Sequence, residues 1–310
     1  MLSKKKEQKI AYLIEAHNDV ENLKRLVEQL NFNADFFIHI DKKTNIEPFL
    51  REINLSNLFF IDKGKRIKVF WGGISQVRAI LLMMNEVIAK NYNYKKVVLL
   101  SGADYPIKSN SYIHSFFDKY KYVNFIRGMN ITKANHPKYN QCICKYHFFN
   151  FSFINKEITR GVRKILYIVV NYFFSKRNFI NIDKYTLDIF HGSSWWALNM
   201  DFLIYVMENK KLRRSMDAYF RYSLASDEKF FHTIFFNSQY ANTNTEGGGE
   251  PFYPATSKFA NLHIIDQSLQ KYFTIEDFEY IRNSDKLFVR KVSTEKSTEL
   301  LNKIDECLLR

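Results

Sequence analysis

The most constraining feature of this sequence is the alternation of short apolar runs with amphipathic segments over residues 10–108. The runs are mostly apolar, which is typical of strands whose two faces are both covered. Strands separated by helices predict a mostly parallel sheet with right-handed crossovers, and therefore an α/β fold. The predicted strands are Ile10–Ile14, Phe36–Ile40, Leu58–Ile61, Lys68–Phe70 and Lys96–Ser101.

Two of the intervening segments have the spacing of amphipathic helices. Asn18 or Asp19 can cap the first helix, whose apolar positions continue to Leu30. The turn Trp71–Gly73 leads into the second helix, whose apolar positions continue to Ile88. We expect both helices to cover a face of the sheet.

Four residues with functional side chains follow the predicted strands. His17, Asp41 and Trp71 fall at the ends of predicted strands, and Asp104 lies in the loop Gly102–Lys108. In open α/β sheets, ligands bind beyond the carboxyl ends of the strands, where these residues are expected to meet. Each also has a structural interpretation, because the aspartates can tighten turns and the two rings can be part of the core. Four such residues at one edge of a sheet favour a ligand site.

The charge of the chain indicates an anionic partner. It has 46 Lys and Arg against 32 Asp and Glu, a net charge of +14. Nucleotide diphosphates, acidic membrane surfaces and nucleic acids all fit such an excess. The basic residues are scattered and no recognition motif is present, so we expect no nucleic-acid partner.

The cysteines and the N-terminus bear on the compartment. The chain has three cysteines, Cys142, Cys144 and Cys307. A small and odd number of cysteines argues against a disulfide framework and fits a reducing compartment. Cys142 and Cys144 lack a second pair, so packing is favoured over a metal site. Residues 1–9 are charged and contain no apolar stretch, so we expect neither a signal peptide nor a membrane anchor.

Several short motifs occur in a characteristic order, and together they resemble those of glycosyltransferase family 14. This family comprises the core-2/I-branching β-1,6-N-acetylglucosaminyltransferases and the peptide O-xylosyltransferases. The resemblance covers about residues 9–292. The motifs are Ala11–His17, Ile38–Lys43, Trp71–Ser75, Ser101–Lys108, Gly192–Trp196, Ser226–Glu228 and Leu287–Lys291.

The resemblance implies a fold and a division of the chain. The fold is a variant of the GT-A type, a Rossmann-like α/β domain with a mostly parallel sheet flanked by helices, merged with an acceptor-binding half. We expect residues 9–125 to form the nucleotide-binding half and residues 126–292 the acceptor and catalytic half. Residues 293–310 are predicted to form a C-terminal helix.

The resemblance also implies how the donor, a UDP-sugar, is bound. It places His17, Asp41 and Trp71 around uracil and ribose. Asp104 lies where metal-dependent GT-A enzymes carry an Asp-any-Asp motif, which is absent from this chain. A single carboxylate is a poor site for a divalent ion, so we expect no metal and no other cofactor. This agrees with the family, which works without metal.

Glu228 is the predicted general base. Ser226 can cap a helix over Asp227–Asn237, and the resemblance then turns Glu228 towards the cleft. The helix N-terminus is expected to keep the carboxyl ionised, as a base requires. Ser-Asp-Glu is also an ordinary helix start, which is the alternative interpretation. Direct attack by the deprotonated hydroxyl would invert the anomeric centre.

Without metal, the leaving diphosphate needs fixed cations. Lys291 matches the diphosphate-binding lysine of the family, and the adjacent Arg290 is a weaker candidate. The family usually has an arginine upstream, where this chain offers His263 instead, with Lys258 as a substitute. Trp195 and Trp196 can form a sugar-stacking wall, although one of them is expected in the core.

The resemblance favours UDP-N-acetylglucosamine as donor, with UDP-xylose as the alternative, and a glycan or lipid-linked polysaccharide precursor as acceptor. A non-catalytic sugar-binding relative would lack Glu228 or Lys291, and both are present. The loop Gly247–Gly249 is either a lid near the site or a plain connector.

A basic and apolar segment, residues 160–177, is a candidate membrane contact. Its apolar run Ile165–Phe174 is too short to span a bilayer, which needs about 20 residues. Basic residues on both sides are typical of helices that lie on anionic lipid, and a buried helix is the alternative. We expect a bacterial cytoplasmic protein, peripheral on the inner face of the cell membrane.

Overall fold

The computed structural model describes residues 8–310, apart from the side chains of residues 256 and 257. Residues 1–7, part of the segment for which no signal peptide was expected, lie outside the described residues. The strands are Ile10–Ala16 (β1), Ala34–Ile40 (β2), Leu58–Phe60 (β3), Lys96–Ser101 (β4), Asp104–Pro106 (β5), Gly128–Asn130 (β6), Phe179–Ile182 (β7), Tyr185–Asp188 (β8), Phe190–Gly192 (β9), Ala197–Leu198 (β10), His263–Ile265 (β11) and Phe288–Arg290 (β12).

The helices alternate with these strands in the first part of the chain and dominate the second. They are Val20–Gln29 (α1), Glu47–Glu52 (α2), Ile74–Ala89 (α3), Asn110–Lys119 (α4), Ile131–Ala134 (α5), Pro137–Cys144 (α6), Lys156–Phe173 (α7), Met200–Glu208 (α8), Lys210–Phe220 (α9), Phe230–Phe236 (α10), Phe278–Arg282 (α11) and Thr294–Cys307 (α12).

The central sheet has the strand order β10-β4-β1-β2-β3. Strands β1 to β4 run parallel, and β10 joins β4 antiparallel at one edge. The register of β1 sets Glu15 beside His39 of β2 and Ser101 of β4. A mostly parallel sheet flanked by helices confirms the predicted α/β class.

Both faces of the central sheet are buried, which explains the apolar runs. Ala11 and Leu13 of β1 pack into a core with helices α3, α8 and α10. Tyr12 and Ile14, the alternate residues, pack on the other face with α1 and α4. Because successive side chains of a strand point to opposite faces, a strand covered on both sides has no polar face.

A second sheet, of order β11-β12-β5, lies beside the first. Strand β12 pairs parallel with β11 and antiparallel with β5, which sets Arg290 opposite Asp104. Helices α11 and α12 cover this sheet through residues such as Ile281 and Ile304. Asp104–Pro106 is thus a strand, whereas the sequence predicted that Gly102–Lys108 was entirely loop.

Two further local predictions need correction. Lys68–Phe70 does not form a strand. The amides of Val69 and Phe70 instead donate to the side chains of Asp41 and Ser75, 3.3 and 2.9 Å away. These side-chain bonds replace a sheet ladder, so an apolar run alone does not predict a strand here.

The second correction concerns the helix predicted over Asp227–Asn237. A 3₁₀ turn, Ser226–Glu228, precedes α10, and Lys229 interrupts the helical path between them. The Nζ atom of Lys229 donates to the carbonyl oxygens of Leu224 and Ala225, 2.9 and 3.0 Å away. Ser226 does not cap a helix, because its hydroxyl donates to carbonyl oxygens behind it. For α1, the cap is Asp19, which accepts from the amide of Asn22.

Candidate active site

The carboxyl ends of β1, β2 and β4 open into a cleft made of two adjoining pockets. The rim pocket, of about 370 Å³, is lined by His17, Asp41 and Ser101 among others. The inner pocket, of about 150 Å³, is lined by Ser194 and Glu228 among others. The residues that line both pockets, and so mark their boundary, are Trp71, Gln76, Trp195, Arg290 and Lys291.

Asp41 is held rigidly at the rim by the turn that follows β2. Its Oδ1 atom accepts from the amides of Lys43 and Val69, and Oδ2 lies 3.2 Å from the Lys43 ammonium. His17, at the end of β1, is exposed in the same pocket. Partial loss of water in the pocket lowers the pKa of His17, and the Asp41 carboxylate opposes this shift without cancelling it, which favours the neutral ring. A carboxylate and a neutral imidazole can both hydrogen-bond a nucleoside.

Trp71 presents an open aromatic face to both pockets. Its side chain is 81% exposed, so the alternative that it belongs to the core is wrong. The next residue, Gly72, has φ +74, a conformation that residues with a Cβ rarely adopt. This glycine turns the chain into α3 and leaves the indole at the mouth of the cleft.

Arg290 is fixed at the boundary by a buried carboxylate. Its Nη1 atom donates to Asp104 Oδ1 at 2.8 Å and to the Ser101 hydroxyl, and its guanidinium lies 4.1 Å from the centroid of Trp195. Asp104 is fully buried. Burial alone would raise the pKa of Asp104, but Arg290, His263 and the Ser101 amide outweigh it and lower the pKa to about 2. Asp104 therefore positions Arg290 and does not line the cleft, contrary to its predicted contact with the nucleotide.

His263 lies behind the cleft rather than in it. Its side chain is 1% exposed, its Nε2 atom is 3.3 Å from Asp104 Oδ2, and its ring stacks on Phe288. The prediction that His263 contacts a phosphate is wrong for this arrangement, because the ring is buried beneath Arg290 and Trp195. Lys258, the suggested substitute, lies over the Tyr253 ring and lines neither pocket.

Lys291, unlike Arg290, is not held by a buried carboxylate. Within the described part of the chain, its ammonium makes no hydrogen bond or ion pair, and it lines both pockets. Partial burial, followed by repulsion from Arg290, lowers its pKa. An unpaired lysine at the boundary is available to an anionic group.

Glu228 is the carboxylate of the inner pocket. Its side chain is 21% exposed, and Oε2 lies 3.8 Å from His191 Nδ1. Burial, opposed by Lys229 and reinforced by Asp227, raises the pKa of Glu228 to about 7. The expectation that a helix N-terminus keeps this carboxyl fully ionised is therefore wrong, because a single 3₁₀ turn stands there. A carboxyl with this pKa can accept a proton readily near neutral pH.

The two tryptophans are separated by the fold. Trp195 lines both pockets, whereas Trp196 is 1% exposed and packs against Phe231 in the core. Of the predicted sugar-stacking wall, only Trp195 remains. Beside it, the Ser194 hydroxyl donates to Asp227 Oδ2 at 2.6 Å, which fixes a second carboxylate in the inner pocket.

The loop Gly247–Gly249 lines neither pocket. The residues on both sides of it, Glu246 and Glu250, form ion pairs with Arg127. These contacts fasten the loop at both ends and agree with a connector rather than a lid.

Elsewhere, the three cysteines are free thiols. The described residues contain no group of three or more His, Cys, Asp or Glu side chains that could hold a metal ion.

Sequence reasoning did not single out two residues of the cleft, Glu15 and Gln76. Gln76 Nε2 donates to Glu15 Oε2 at 3.1 Å, and both side chains line the rim pocket. The signal was present, because Glu15 is the one acidic residue in the otherwise apolar β1 sequence.

Comparisons with known proteins agree with the family resemblance over most of the chain. Residues 10–249 match the family model described as Branch: Core-2/I-Branching enzyme. Xylosyltransferase 1 of Rattus norvegicus is 23% identical over 249 residues, which are 76% of this chain and 27% of that protein. Xylosyltransferase 1 of Homo sapiens is 24% identical over 245 residues, 76% of this chain and 23% of that protein. Xylosyltransferase 2 of Rattus norvegicus is 26% identical over 243 residues, 74% of this chain and 25% of that protein. The chain thus spans about a quarter of the length of these relatives.

Proposed function

Because the chain belongs to the Core-2/I-Branching enzyme family, we propose that it is an inverting glycosyltransferase that moves one sugar from a UDP-sugar to a hydroxyl of a glycan. The observation that carries this proposal is the unpaired Lys291 at the boundary of the two pockets. A diphosphate bound there would join a nucleoside in the rim pocket to a sugar beside Glu228.

The rim pocket has the groups that a uridine needs. The open face of Trp71 offers a surface for the base, and Asp41 and His17 offer hydrogen bonds to base and ribose. The diphosphate would meet Lys291 and the free edge of the Arg290 guanidinium. Charge-assisted bonds of this kind hold a phosphate more strongly than neutral hydrogen bonds.

Transfer then proceeds in one step. Glu228 takes the proton of the acceptor hydroxyl while that oxygen attacks the anomeric carbon from the face opposite the diphosphate. The bond to the β-phosphate oxygen breaks, and UDP leaves with the bonding electron pair. An α-linked donor gives a β-linked product, and Lys291 stabilises the charge that develops on the diphosphate.

Two donors are proposed. UDP-N-acetylglucosamine fits the branching enzymes of the family, and UDP-xylose is favoured by the names of the relatives. The test is a panel of nucleotide sugars, including both donors and UDP-glucose, in which release of UDP is measured without acceptor. Slow hydrolysis of one UDP-sugar is expected, and absence of binding and hydrolysis across the panel would overturn the proposal.

Turnover is expected to need no divalent metal ion. The chain has no Asp-any-Asp motif, and Asp104, at the equivalent place, is occupied by Arg290. Turnover should therefore stay within about twofold in excess EDTA, since fixed cations take the place of a metal at the diphosphate. The measurement is the initial rate with and without EDTA. Loss of turnover that Mn²⁺ restores would contradict the prediction.

Helix α7 supports a further part of the proposal, docking on anionic lipid. The alternative that this segment is a buried helix is wrong, because much of its apolar surface is exposed. None of the described helices is long and apolar enough to cross a membrane. The exposed apolar side chains include Ile165 (62%), Ile168 (57%), Tyr172 (82%), Phe173 (70%) and Phe174 (62%).

The charges near this face fit an anionic surface, although fewer are available than the sequence suggested. Lys164 and Arg177 are exposed, and Arg160 is exposed but forms an ion pair with Glu157. Arg163 instead donates to the Phe149 carbonyl oxygen, and Lys176 to the Ser223 hydroxyl. Burial lowers the pKa of Lys176 to about 7, so it adds little charge to the surface.

Binding to vesicles tests this docking surface. The two exposed cations without an ion pair among the described residues, at roughly 1 kcal/mol each, predict binding to anionic vesicles about 10–100-fold tighter than to neutral ones, and weaker binding at high salt. Replacing Tyr172, Phe173 and Phe174 by serine should release the protein and leave transfer to a soluble acceptor intact. Co-sedimentation with phosphatidylglycerol or phosphatidylcholine vesicles is the measurement.

A matched control changes exposed aromatic residues on other surfaces. Tyr122 and Tyr280 are 79% and 64% exposed, and serine at both positions should leave vesicle binding unchanged. If the wild-type protein ignores anionic vesicles, or if the control variant loses binding equally, helix α7 is not a lipid-docking surface.

A further inference from the structure

Glu15 is a partly buried acid that neither the fold nor the proposed mechanism explains. It is the penultimate residue of β1, where the other six residues are apolar. Its side chain turns to the cleft and lines the rim pocket. A glutamate in a strand that is otherwise core is costly, because its carboxyl must leave water.

Only half of the Glu15 carboxyl is satisfied. Oε2 accepts from Gln76 Nε2 at 3.1 Å, but Oε1 is buried and has no hydrogen-bond partner among the described residues. An unpartnered buried polar atom destabilises a protein by about 1–3 kcal/mol, and native structures contain few of them. An atom of this kind at the wall of a cleft is expected to bond a ligand.

The surroundings of Glu15 keep its carboxyl protonated. Burial, reinforced by Asp227 and Asp41 and opposed by Gln76 and Arg290, raises the pKa of Glu15 to about 8. A neutral carboxyl donates one hydrogen bond and accepts others, as a sugar hydroxyl also does. It also spares a neighbouring diphosphate the repulsion of an ionised carboxylate.

The position of Glu15 indicates which part of a donor it meets. Its partner Gln76 lines both pockets, and Asp227, the acidic residue that raises its pKa most, belongs to the inner pocket. A sugar attached to a diphosphate at Lys291 and attacked beside Glu228 would occupy this boundary. The nucleoside would lie farther out, towards Asp41 and His17.

We propose that Glu15, supported by Gln76, binds a hydroxyl of the donor sugar and thereby determines which UDP-sugar the enzyme accepts. This inference rests on the proposed function. Glu15 contributes through recognition of the sugar and takes no part in the proton transfer assigned to Glu228.

The test compares two substitutions of similar size. Glu15→Met removes both hydrogen-bonding atoms and suits the apolar pattern of β1, so the strand should still form. Glu15→Gln keeps one donor and one acceptor. Titration calorimetry with UDP, UDP-xylose and UDP-N-acetylglucosamine should show that Glu15→Met binds the preferred UDP-sugar about 10–100-fold more weakly. UDP should bind equally well to both variants and to the wild type. The affinity of Glu15→Gln for the preferred UDP-sugar should stay within about threefold of the wild-type affinity.

The control and the readings separate this inference from the proposed function. Glu52→Gln changes an exposed carboxyl on α2 and should alter neither affinity. Equal losses for UDP and UDP-sugar in Glu15→Met, or no loss at all, would overturn the role of Glu15 while leaving the enzyme a glycosyltransferase. Failure of the wild-type protein to bind any UDP-sugar would overturn the proposed function and this inference with it.

Discussion

Replacing Glu228 by glutamine is expected to lower turnover by about 10²–10⁴ while leaving the affinity for UDP unchanged. The amide has nearly the shape of the carboxyl, but it cannot take a proton from the acceptor hydroxyl. Glu228 lines the inner pocket and not the rim pocket, so nucleotide binding should not depend on it. Steady-state turnover and calorimetric binding of UDP measure the two effects separately.

The pH profile gives this prediction a second, independent measurement. The pKa of Glu228 is raised to about 7, and a general base acts only when ionised. The wild-type kcat/KM should therefore fall about tenfold for each pH unit below 7 and level off between pH 7 and 8, above which Glu15 begins to ionise. The residual activity of Glu228→Gln should lack this step.

A matched control is Glu208→Gln, an exposed carboxyl at the end of α8 that should leave both the rate and the profile unaltered. Near-normal turnover in Glu228→Gln would show that the base is another group. Asp227 is then next to test, since its carboxylate lines the same pocket. Asp104 is a poor candidate, because it is buried against Arg290.

The architecture could be predicted because local patterns determine it. Strands β1, β2 and β4 are apolar on both faces, and helices α1 and α3 have regular apolar spacing. Those patterns express burial directly, so they indicate strands, helices and their alternation. The edge where His17 and Asp41 gather follows from the rule that ligands bind at the carboxyl ends of parallel strands. Trp71 lines the same pocket although no strand ends directly before it.

The roles of Asp104 and His263 could not be predicted in this way. Both depend on the pairing of β12 with β5 and β11, which joins residues far apart in sequence. That pairing buries Asp104 between Arg290 and His263, so that neither Asp104 nor His263 lines the cleft. A motif comparison assigns a role to a position, but it does not report which side chain a later strand will cover.

Helix α7 illustrates a different limit. An amphipathic helix with a strong apolar face has the same spacing whether that face meets the core or something outside the protein. The structure distinguishes the two, because Tyr172 and Phe173 are exposed while Asn171 bonds the backbone of Tyr146. Similarly, the sequence shows an acidic residue, Glu15, in an apolar strand. Only the structure shows that its Oε1 atom is buried and has no hydrogen-bond partner among the described residues.

Replacing Lys291 by alanine is expected to lower turnover by about 10²–10³ and to weaken binding of UDP. The ammonium makes no hydrogen bond or ion pair in the described part of the chain, so its removal should leave no buried partner unpaired. Uridine lacks the diphosphate, and its affinity should therefore change less than about twofold. Turnover and parallel titrations with UDP and uridine measure these effects, and Lys303→Ala, on the exposed face of α12, is the matched control.

Lys291 is a sharper test of diphosphate binding than Arg290. Alanine at Arg290 would leave the buried Asp104 carboxylate without its main counter-charge. The loss of a buried partner typically costs about 3–5 kcal/mol, a large part of the roughly 5–15 kcal/mol that stabilises a native protein. A defect in that variant would mix folding with catalysis. Lys291→Ala should unfold at the wild-type temperature, so a lower rate reports on the diphosphate alone. Equal weakening for uridine and UDP, or an unchanged rate, would show that Lys291 does not hold the leaving group.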